Sequence, residues 1–215
     1  MKILIIVAHP DDEILGCGGV LSKYYNEEKL LITLTDGESA RLPLKSQNRN
    51  NLTKEFILPI LNIQKFVSGD FPDNKLDTIP LIDIIKFIEL NTIDFIPDII
   101  FTHHPDCLNI DHSITYRAVI TAFRPQTGIS QSIYSFYIPS STDFNPLNNF
   151  NGNVYFKLND KDVDIKKKCL EIYENEMRLY PHSRSIDNII NLLKIWGSEV
   201  GYFYCEKFQL IRNIN

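Results

Sequence analysis

The sequence predicts an α/β fold: a mainly parallel sheet with helices on both faces, followed by a C-terminal α/β elaboration. Two observations predict it. Over about the first two-thirds of the chain, short apolar runs alternate with amphipathic stretches of helical period. The apolar runs are continuous, as expected of strands that are buried on both faces. Strand and helix in this rhythm indicate βαβ units and therefore a parallel sheet.

The elements follow one another in a regular order. Strands are predicted where short apolar runs end in polar residues, over 3–8, 30–35, 65–68 and 98–102, with polar loops over 69–74 and 103–110. Helices are predicted where apolar residues recur at helical spacing, over 16–26, 46–61 with an interruption near Pro59, 79–90 and 111–123. Pro80 is tolerated in the first turn of a helix, and an early acid such as Asp111 suits the positive end of the helix dipole.

The character of the sequence changes from about Ser130. A strand is predicted over 133–138, a loop over 139–152, a strand over 153–157, and helices over 161–179 and 185–196. The sequence contains no internal repeat and no low-complexity linker. We therefore expect a single domain over residues 1–215 and no second domain.

Composition excludes several classes of function. The 215 residues include 22 Lys+Arg and 27 Asp+Glu, a net charge of −5, which argues against a nucleic-acid or anionic-membrane surface. No window approaches the roughly 18 apolar residues of a membrane helix, and the first apolar run ends in carboxylates, unlike a secretory signal. The four cysteines are widely spaced with no CxxC pair, which predicts neither a disulfide scaffold nor a zinc knuckle. We expect a cytoplasmic protein.

Polar side chains follow each predicted parallel strand. Ligands in open parallel sheets bind beyond the carboxyl ends of the strands, and these side chains are expected to converge there. Buried carboxylates and imidazoles brought together would repel one another or lack partners without a cation between them. The side chains concerned are His9, Asp11, Asp12 and Glu13 after the first strand, Asp36 and Glu38 after the second, Asp70 and Asp73 after the third, and His103, His104, Asp106, Asn109, Asp111 and His112 after the fourth.

Zinc is the metal that a mixture of imidazole and carboxylate favours, with another divalent metal as the alternative. His9, Asp12 and His112 form a three-ligand set for one ion per chain, and a fourth position left for water is typical of a catalytic site. Asp11 is placed to act as the general base. A His-Pro-Asp tripeptide alone is more often a turn with an N-cap, but the second His/Asp cluster favours a metal site.

The glycines after the first strand raise the alternative of a dinucleotide site. The segment Gly16-Cys17-Gly18-Gly19 has the place of a Rossmann glycine loop, but the third glycine of a GxGxxG motif would fall at Leu21. The carboxylates between the strand and the glycines would also repel a negatively charged pyrophosphate. Nucleotide binding is therefore not expected.

The motifs resemble those of the PIG-L/LmbE-like zinc-dependent N-deacetylases. The first block is Ala-His-Pro-Asp-Asp-Glu at 8–13 followed by Leu-Gly-Cys-Gly-Gly at 15–19, and blocks at 34–38, 71–74, 108–112 and 181–185 are similar to one bacterial branch. The resemblance implies a Rossmann-like three-layer sandwich. It also implies hydrolysis of the N-acetyl group of an amino sugar or sugar conjugate, releasing acetate and a free amine. By motif position, His9, Asp12 and His112 are the metal ligands and Asp11 is the general base.

The sequence departs from this family in two places. Asn109 stands where many members carry a histidine; an amide can donate a hydrogen bond to an oxyanion but cannot supply a proton. Protonation of the leaving amine then falls to Asp11, His103, His104 or His182, with Asp111 orienting a neighbouring group. The helix start at Arg49-Asn50-Asn51-Leu52 lacks the acid that the family has there.

Substrate contacts are expected from polar residues around the site, namely Arg49, Asp73, Asn74, His182 and Arg184. The expected partner is a small N-acetylated sugar. Two alternatives remain open, a metallohydrolase acting on a phosphoester or another amide, and a non-catalytic sugar-binding member of the fold. A homo-oligomer is a further expectation, with Tyr202-Phe203-Tyr204 as either an apolar contact or core.

Overall fold

The computed structural model describes residues 1–40, 49–125, 131–147 and 150–213, and a seven-stranded sheet lies at its centre. The strands are β1 (Lys2–Val7), β2 (Glu28–Thr35), β3 (Lys65–Phe71), β4 (Ile99–His103), β5 (Ser132–Phe136), β6 (Val154–Leu158) and β7 (Tyr204–Arg212). Their order across the sheet is β3-β2-β1-β4-β5-β7-β6. The first five strands pair in parallel, while β7 runs antiparallel to both β5 and β6.

Seven helices accompany these strands in the described part of the chain. They are α1 (Asp12–Lys23), α2 (Arg49–Leu52), α3 (Leu58–Leu61), α4 (Leu81–Asn91), α5 (Ile110–Ala122), α6 (Asp160–Ile172) and α7 (Ile186–Ser198). A π-helical turn, Thr53–Ile57, joins α2 to α3, and short 3-10 turns lie at Leu76–Thr78 and Glu174–Glu176. Among the described residues no helix has both the length and the apolar character needed to cross a bilayer.

The side chains of β1 show why helices cover both faces of the sheet. Ile3, Ile5 and Val7 belong to one buried apolar cluster, to which α1, α6 and α7 contribute. Leu4 and Ile6 point to the opposite face and belong to a second cluster, to which α4 and α5 contribute. Alternate residues of a strand point to opposite faces, so a continuous apolar run buries two layers at once. The predicted three-layer α/β fold is confirmed.

Helix α1 begins at Asp12, earlier than the predicted start at Gly16. Acids in a first turn are favoured by the helix dipole, and Asp12 and Glu13 both lie in this turn. The glycines serve packing within the helix instead of marking its start. A Cβ on Gly16 would lie only 2.4 Å from Cδ2 of Phe136 on β5, so α1 can approach the sheet because this side chain is absent.

Two predictions after β2 need correction. Pro59 does not interrupt its helix, because it lies in the first turn of α3; the irregularity is the preceding π-helical turn. Residues 46–48 of the predicted helix lie outside the described residues. Strand β3 continues to Phe71, although 69–71 was predicted as loop. A register shift between Thr33 and Thr35 lets Phe71 pair with β2, which extends the ladder.

The C-terminal elaboration contains a strand that was not predicted. Strand β7 lies between β5 and β6 and joins β6 to the sheet. Its Glu206 is buried and accepts hydrogen bonds from the backbone of Gly19 and from Lys166 Nζ at 2.6 Å. A charged residue at a buried position obscures the apolar pattern of the strand. The predicted helix over 161–179 is also shorter, since α6 ends at Ile172.

Candidate active site

The candidate site lies at the edge of the sheet where the neighbouring parallel strands β3, β2, β1 and β4 present their carboxyl ends. A small cavity of about 80 Å³ opens there. The loop after β1, the loop after β3 and the start of α5 supply most of its walls. The residues that line it are His9, Asp11, Asp12, Arg49, Asp73, Asn74, Asn109, His112 and Arg184.

Three buried side chains bring their donor atoms together at this cavity. Nδ1 of His9 lies 3.1 Å from Oδ2 of Asp12 and 3.3 Å from Nε2 of His112. Nε2 of His112 lies 3.4 Å from the same Asp12 oxygen. All three residues are at most 5% exposed. These are the three metal ligands predicted from the sequence, and the fold places them as one group.

The spacing of the trio fits a metal ion. Donor atoms about 2.0–2.2 Å from a tetrahedral zinc ion lie about 3.3–3.6 Å from one another, close to the distances of 3.1–3.4 Å observed here. The second oxygen of Asp12, Oδ1, is buried without a hydrogen-bond partner, as expected of a carboxylate that binds a metal ion. Burial lowers the pKa of His112 below its ordinary value, which favours the neutral ring that a metal ligand requires.

A second group of possible metal ligands consists of His9, Asp73 and Asp111. The carboxylate oxygens of this group already accept hydrogen bonds from other groups. Nε2 of His9 lies 3.1 Å from Asp111 and 3.1 Å from Asp73. Asp111 accepts hydrogen bonds from the backbone N–H groups of Asn74 and Leu76. A histidine that binds a metal through one ring nitrogen commonly donates the N–H of the other to a carboxylate, which orients the ring. Asp111 has this position relative to His9. Asp111, predicted to orient a neighbouring group, therefore lies against the far side of the His9 ring.

The electrostatics of this cluster favour a positive charge. Burial lowers the pKa of His9, but hydrogen bonds to Asp111, Asp12 and Asp73 outweigh it and raise the pKa well above the ordinary value. Burial likewise raises the pKa of Asp12, yet the neighbouring His112 and His103 rings hold it well below its usual range. A proton on His9 balances the negative charge of the neighbouring carboxylates, as a bound cation would.

The ring of His112 contacts two further residues, Cys107, which the sequence analysis did not identify as part of the site, and His103, which it did. Its Nδ1 lies 3.3 Å from Sγ of Cys107, a buried thiol that also contacts the Thr142 hydroxyl at 3.0 Å. The His103 ring stacks on it with centroids 3.9 Å apart. No sequence pattern marks Cys107 for this contact, because it precedes α5 and lies five residues from His112, which is not a helical spacing.

Asp11 lies beside the trio with its carboxylate turned toward two arginines. Its Oδ2 is 3.5 Å from Nη1 of Arg184 and 3.6 Å from Nη1 of Arg49. Burial, together with the charge of Asp12, raises the pKa of Asp11 to about 6, although both guanidinium groups oppose the rise. A carboxyl with this pKa can accept a proton at neutral pH and return it, as a general base requires.

Arg49 is held in place by partners from three other segments of the chain. Its guanidinium donates hydrogen bonds to the carbonyl oxygens of Pro10 and Gly37, and Nη1 lies 3.7 Å from Oε2 of Glu176. Gly37 has a φ of +71°, and a Cβ there would lie 2.7 Å from Nη2. Glu176 comes from the turn after α6, far along the chain, so local sequence could not reveal it.

The remaining predicted site residues fall into two groups. Asn109 caps α5 by accepting from the Asp111 N–H, and its Nδ2 donates to Asn74 at the cavity. His182 is not among the cavity-lining residues; its Nδ1 accepts from the Arg184 backbone and its ring faces Phe144. His103 and His104 are also outside the lining, and Nε2 of His103 accepts from the Ala8 N–H.

Comparisons with known proteins agree on the family and the fold. The family model for GlcNAc-PI de-N-acetylases, PIG-L, matches residues 4–123. A solved N,N'-diacetylchitobiose deacetylase from Pyrococcus horikoshii is 19% identical, with a TM-score of 0.77 over 98% of this chain and 83% of that one. A teicoplanin deacetylase, solved in a zinc-inhibited form, is 16% identical, with a TM-score of 0.69 over 100% of this chain and 99% of that one.

The same fold also carries other chemistry. A 4-carboxy-2-hydroxymuconate hydratase from Pseudomonas putida is 14% identical, with a TM-score of 0.77 over 100% of this chain and 97% of that one. No curated protein matches this chain by sequence. Likeness to solved structures at these identities establishes the architecture, and the reaction must be argued from the site.

Proposed function

Because this chain belongs to the GlcNAc-PI de-N-acetylase family, we propose that it is a zinc-dependent hydrolase that removes the acetyl group from an N-acetylated amino sugar or sugar conjugate. The observation that carries this proposal is the buried trio of His9, Asp12 and His112, spaced for one ion, with the carboxylate of Asp11 beside it. The products would be acetate and a free amine.

In this proposal the metal ligands, Asp11 and Asn109 each have a separate role in the hydrolysis. A zinc ion held by the trio would polarise the amide carbonyl and lower the pKa of a water molecule to about 7. Asp11 takes the proton of the attacking water. Asn109 donates one N–H to Asn74, so the second N–H of its amide can stabilise the oxyanion that develops on the carbonyl oxygen.

Asp11 also returns the proton to the leaving amine in this proposal. The other candidates, His103, His104 and His182, lie outside the cavity lining. A single carboxyl with a pKa of about 6 can act first as base and then as acid. Arg49 and Arg184 both lie within 3.6 Å of its Oδ2. With Asp73 and Asn74, they are the proposed contacts to the sugar.

The test is an assay of acetate release across two classes of substrate. Protein loaded with one equivalent of zinc is incubated with N-acetylglucosamine, its glycosides and its 1-phosphate, and with p-nitrophenyl phosphate as the phosphoester control. One equivalent is used because the similar teicoplanin deacetylase was solved in a zinc-inhibited form. We expect acetate and free amine in equal amounts. Phosphate release without acetate would assign a different hydrolase, and no turnover of either class would favour a non-catalytic sugar-binding protein.

Replacement of Cys107 should weaken metal binding. Cys107→Val removes the sulfur that lies 3.3 Å from Nδ1 of His112 while keeping a similar volume. Outer-shell partners of metal-binding histidines change metal affinity by about 10–100-fold, and we expect about a tenfold loss because a thiol is a weak hydrogen-bond partner. Zinc affinity is measured by competition with a chromophoric chelator.

Cys107→Ser is the matched control, because a hydroxyl can still accept from Nδ1 of His112. It should bind zinc within about threefold of the unchanged protein, a smaller change than the roughly 10–100-fold effect of losing such a partner. Equal affinities for the valine and serine variants would show that the Cys107 contact does not orient the ligand.

A further inference from the structure

A fully buried carboxyl group lies behind the catalytic loop and has no place in the reaction described above. Glu13 is 0% exposed and does not line the cavity. Its Oε2 accepts a hydrogen bond from the backbone N–H of Asp11 at 2.9 Å. Its Oε1 accepts from the hydroxyl of Tyr173 at 2.8 Å. Both oxygens thus bind groups inside the protein, away from substrate and metal.

The polar contacts continue beyond Glu13 to the other side of the site. The Tyr173 hydroxyl, also buried, lies 2.8 Å from Oγ1 of Thr53. Thr53 in turn donates to the carbonyl oxygen of Arg49 at 3.0 Å. Thr53 is the first residue of the π-helical turn after α2, and such turns are common at functional sites. A continuous series of polar contacts of 2.8–3.0 Å therefore joins the N–H of Asp11 to the carbonyl oxygen of Arg49.

The backbone of Asp11 needs such a partner. Its φ of 120° with ψ of −29° is a conformation that residues other than glycine rarely adopt. In this conformation Asp12 directs Oδ2 to His9, while Asp11 directs Oδ2 to Arg184 and Arg49. Two adjacent carboxylates thereby receive different partners. The N–H of Asp11 faces the interior, where an unpaired donor would be costly.

We propose that Glu13 is a positioning residue for the reaction, acting through the chain Asp11–Glu13–Tyr173–Thr53–Arg49. It holds the backbone of Asp11 in the orientation that separates its carboxylate from that of Asp12. Through Tyr173 and Thr53 it also ties this loop to the helix that carries Arg49. The inference rests on the proposed function, in which Asp11 is the acid and base. A simple helix cap would stabilise α1 without affecting kcat selectively.

Glu13→Leu and Glu13→Gln form a matched pair that tests the proposal. Both are uncharged and similar in size to glutamate, but only glutamine keeps an acceptor for the Asp11 N–H and a polar partner for Tyr173. Glu13→Leu should lower kcat by about 30–100-fold, since a misplacement of about 1 Å can cost 10²-fold. KM and zinc affinity should change by less than about threefold, and Glu13→Gln should restore kcat to about a third of its original value or more.

Amide hydrogen exchange supplies a readout that needs no substrate. The Asp11 N–H should be protected in the original protein and in Glu13→Gln, and should exchange rapidly in Glu13→Leu. This pattern without any acetate release would overturn the proposed function and leave the positioning role of Glu13 intact. Equal losses of kcat in both variants, or a protected Asp11 N–H in Glu13→Leu, would overturn the positioning role.

Tyr173→Phe keeps the proposal testable if Glu13→Leu does not fold. This change removes only the hydroxyl that joins Glu13 to Thr53 and keeps the packing of the ring. We expect kcat to fall by about three- to tenfold with zinc affinity unchanged, a smaller effect because Asp11 keeps its direct bond to Glu13. An unchanged kcat would show that the chain to Arg49 plays no part.

Discussion

Replacing Asp11 with asparagine is expected to lower kcat for deacetylation by about 10²–10⁴-fold, the usual contribution of a general acid–base residue. Asparagine cannot accept the proton of the attacking water or return one to the amine. Asparagine has nearly the same size and shape as aspartate, so the backbone of this loop, with its φ of 120°, should remain folded. The measurement is steady-state acetate release by Asp11→Asn, together with elemental analysis of the same sample.

Metal content separates this role from a ligand role. Oδ2 of Asp11 faces Arg184 and Arg49, whereas Oδ2 of Asp12 faces both histidines of the trio. Asp11→Asn should therefore keep about one zinc per chain, while Asp12→Asn should lose it. Comparable loss of metal in both variants would place Asp11 among the ligands and remove its assignment as base.

The core of the site could be predicted from the sequence because it follows from where parallel strands end. His9 and Asp12 come directly after the buried run of β1, and His112 follows β4, which pairs with β1 in the sheet. The rule that polar residues converge at this edge needs no side-chain coordinates. The same rule predicted Asp73, which follows β3, at this site, and Asp73 lines the cavity. It also predicted Asp36, Glu38, Asp70 and Asp106 there, and these four residues are not among those that line it.

The partners that hold these residues could not be predicted, because they come from distant parts of the chain. Glu176 reaches Arg49 from the turn after α6, and Tyr173 reaches Glu13 from the C-cap of the same helix. Neither residue has a local pattern that distinguishes it from a surface acid or a core aromatic. Strand β7 was missed for a related reason, since the buried Glu206 is paired with a lysine distant in sequence.

Removal of His112 is expected to abolish both metal binding and deacetylation. His112→Ala deletes Nε2, which lies 3.3 Å from Nδ1 of His9 and 3.4 Å from Asp12. The loss of affinity should exceed the roughly 10–100-fold effect of an outer-shell partner. His182→Ala is the matched control, because that imidazole lies outside the cavity lining, and it should bind zinc like the original protein.

Thermal unfolding makes this prediction measurable without substrate. A ligand at about 100 times its Kd stabilises the folded state by about 2.7 kcal/mol, which for a chain of this size raises Tm by roughly 5–10 °C. Zinc should produce that shift in the original protein and in His182→Ala, and none in His112→Ala. A shift of equal size in His112→Ala would place the ion elsewhere. If neither zinc nor another divalent metal binds the original protein, the trio holds no cofactor, and a sugar-binding role without catalysis becomes the better account of this fold.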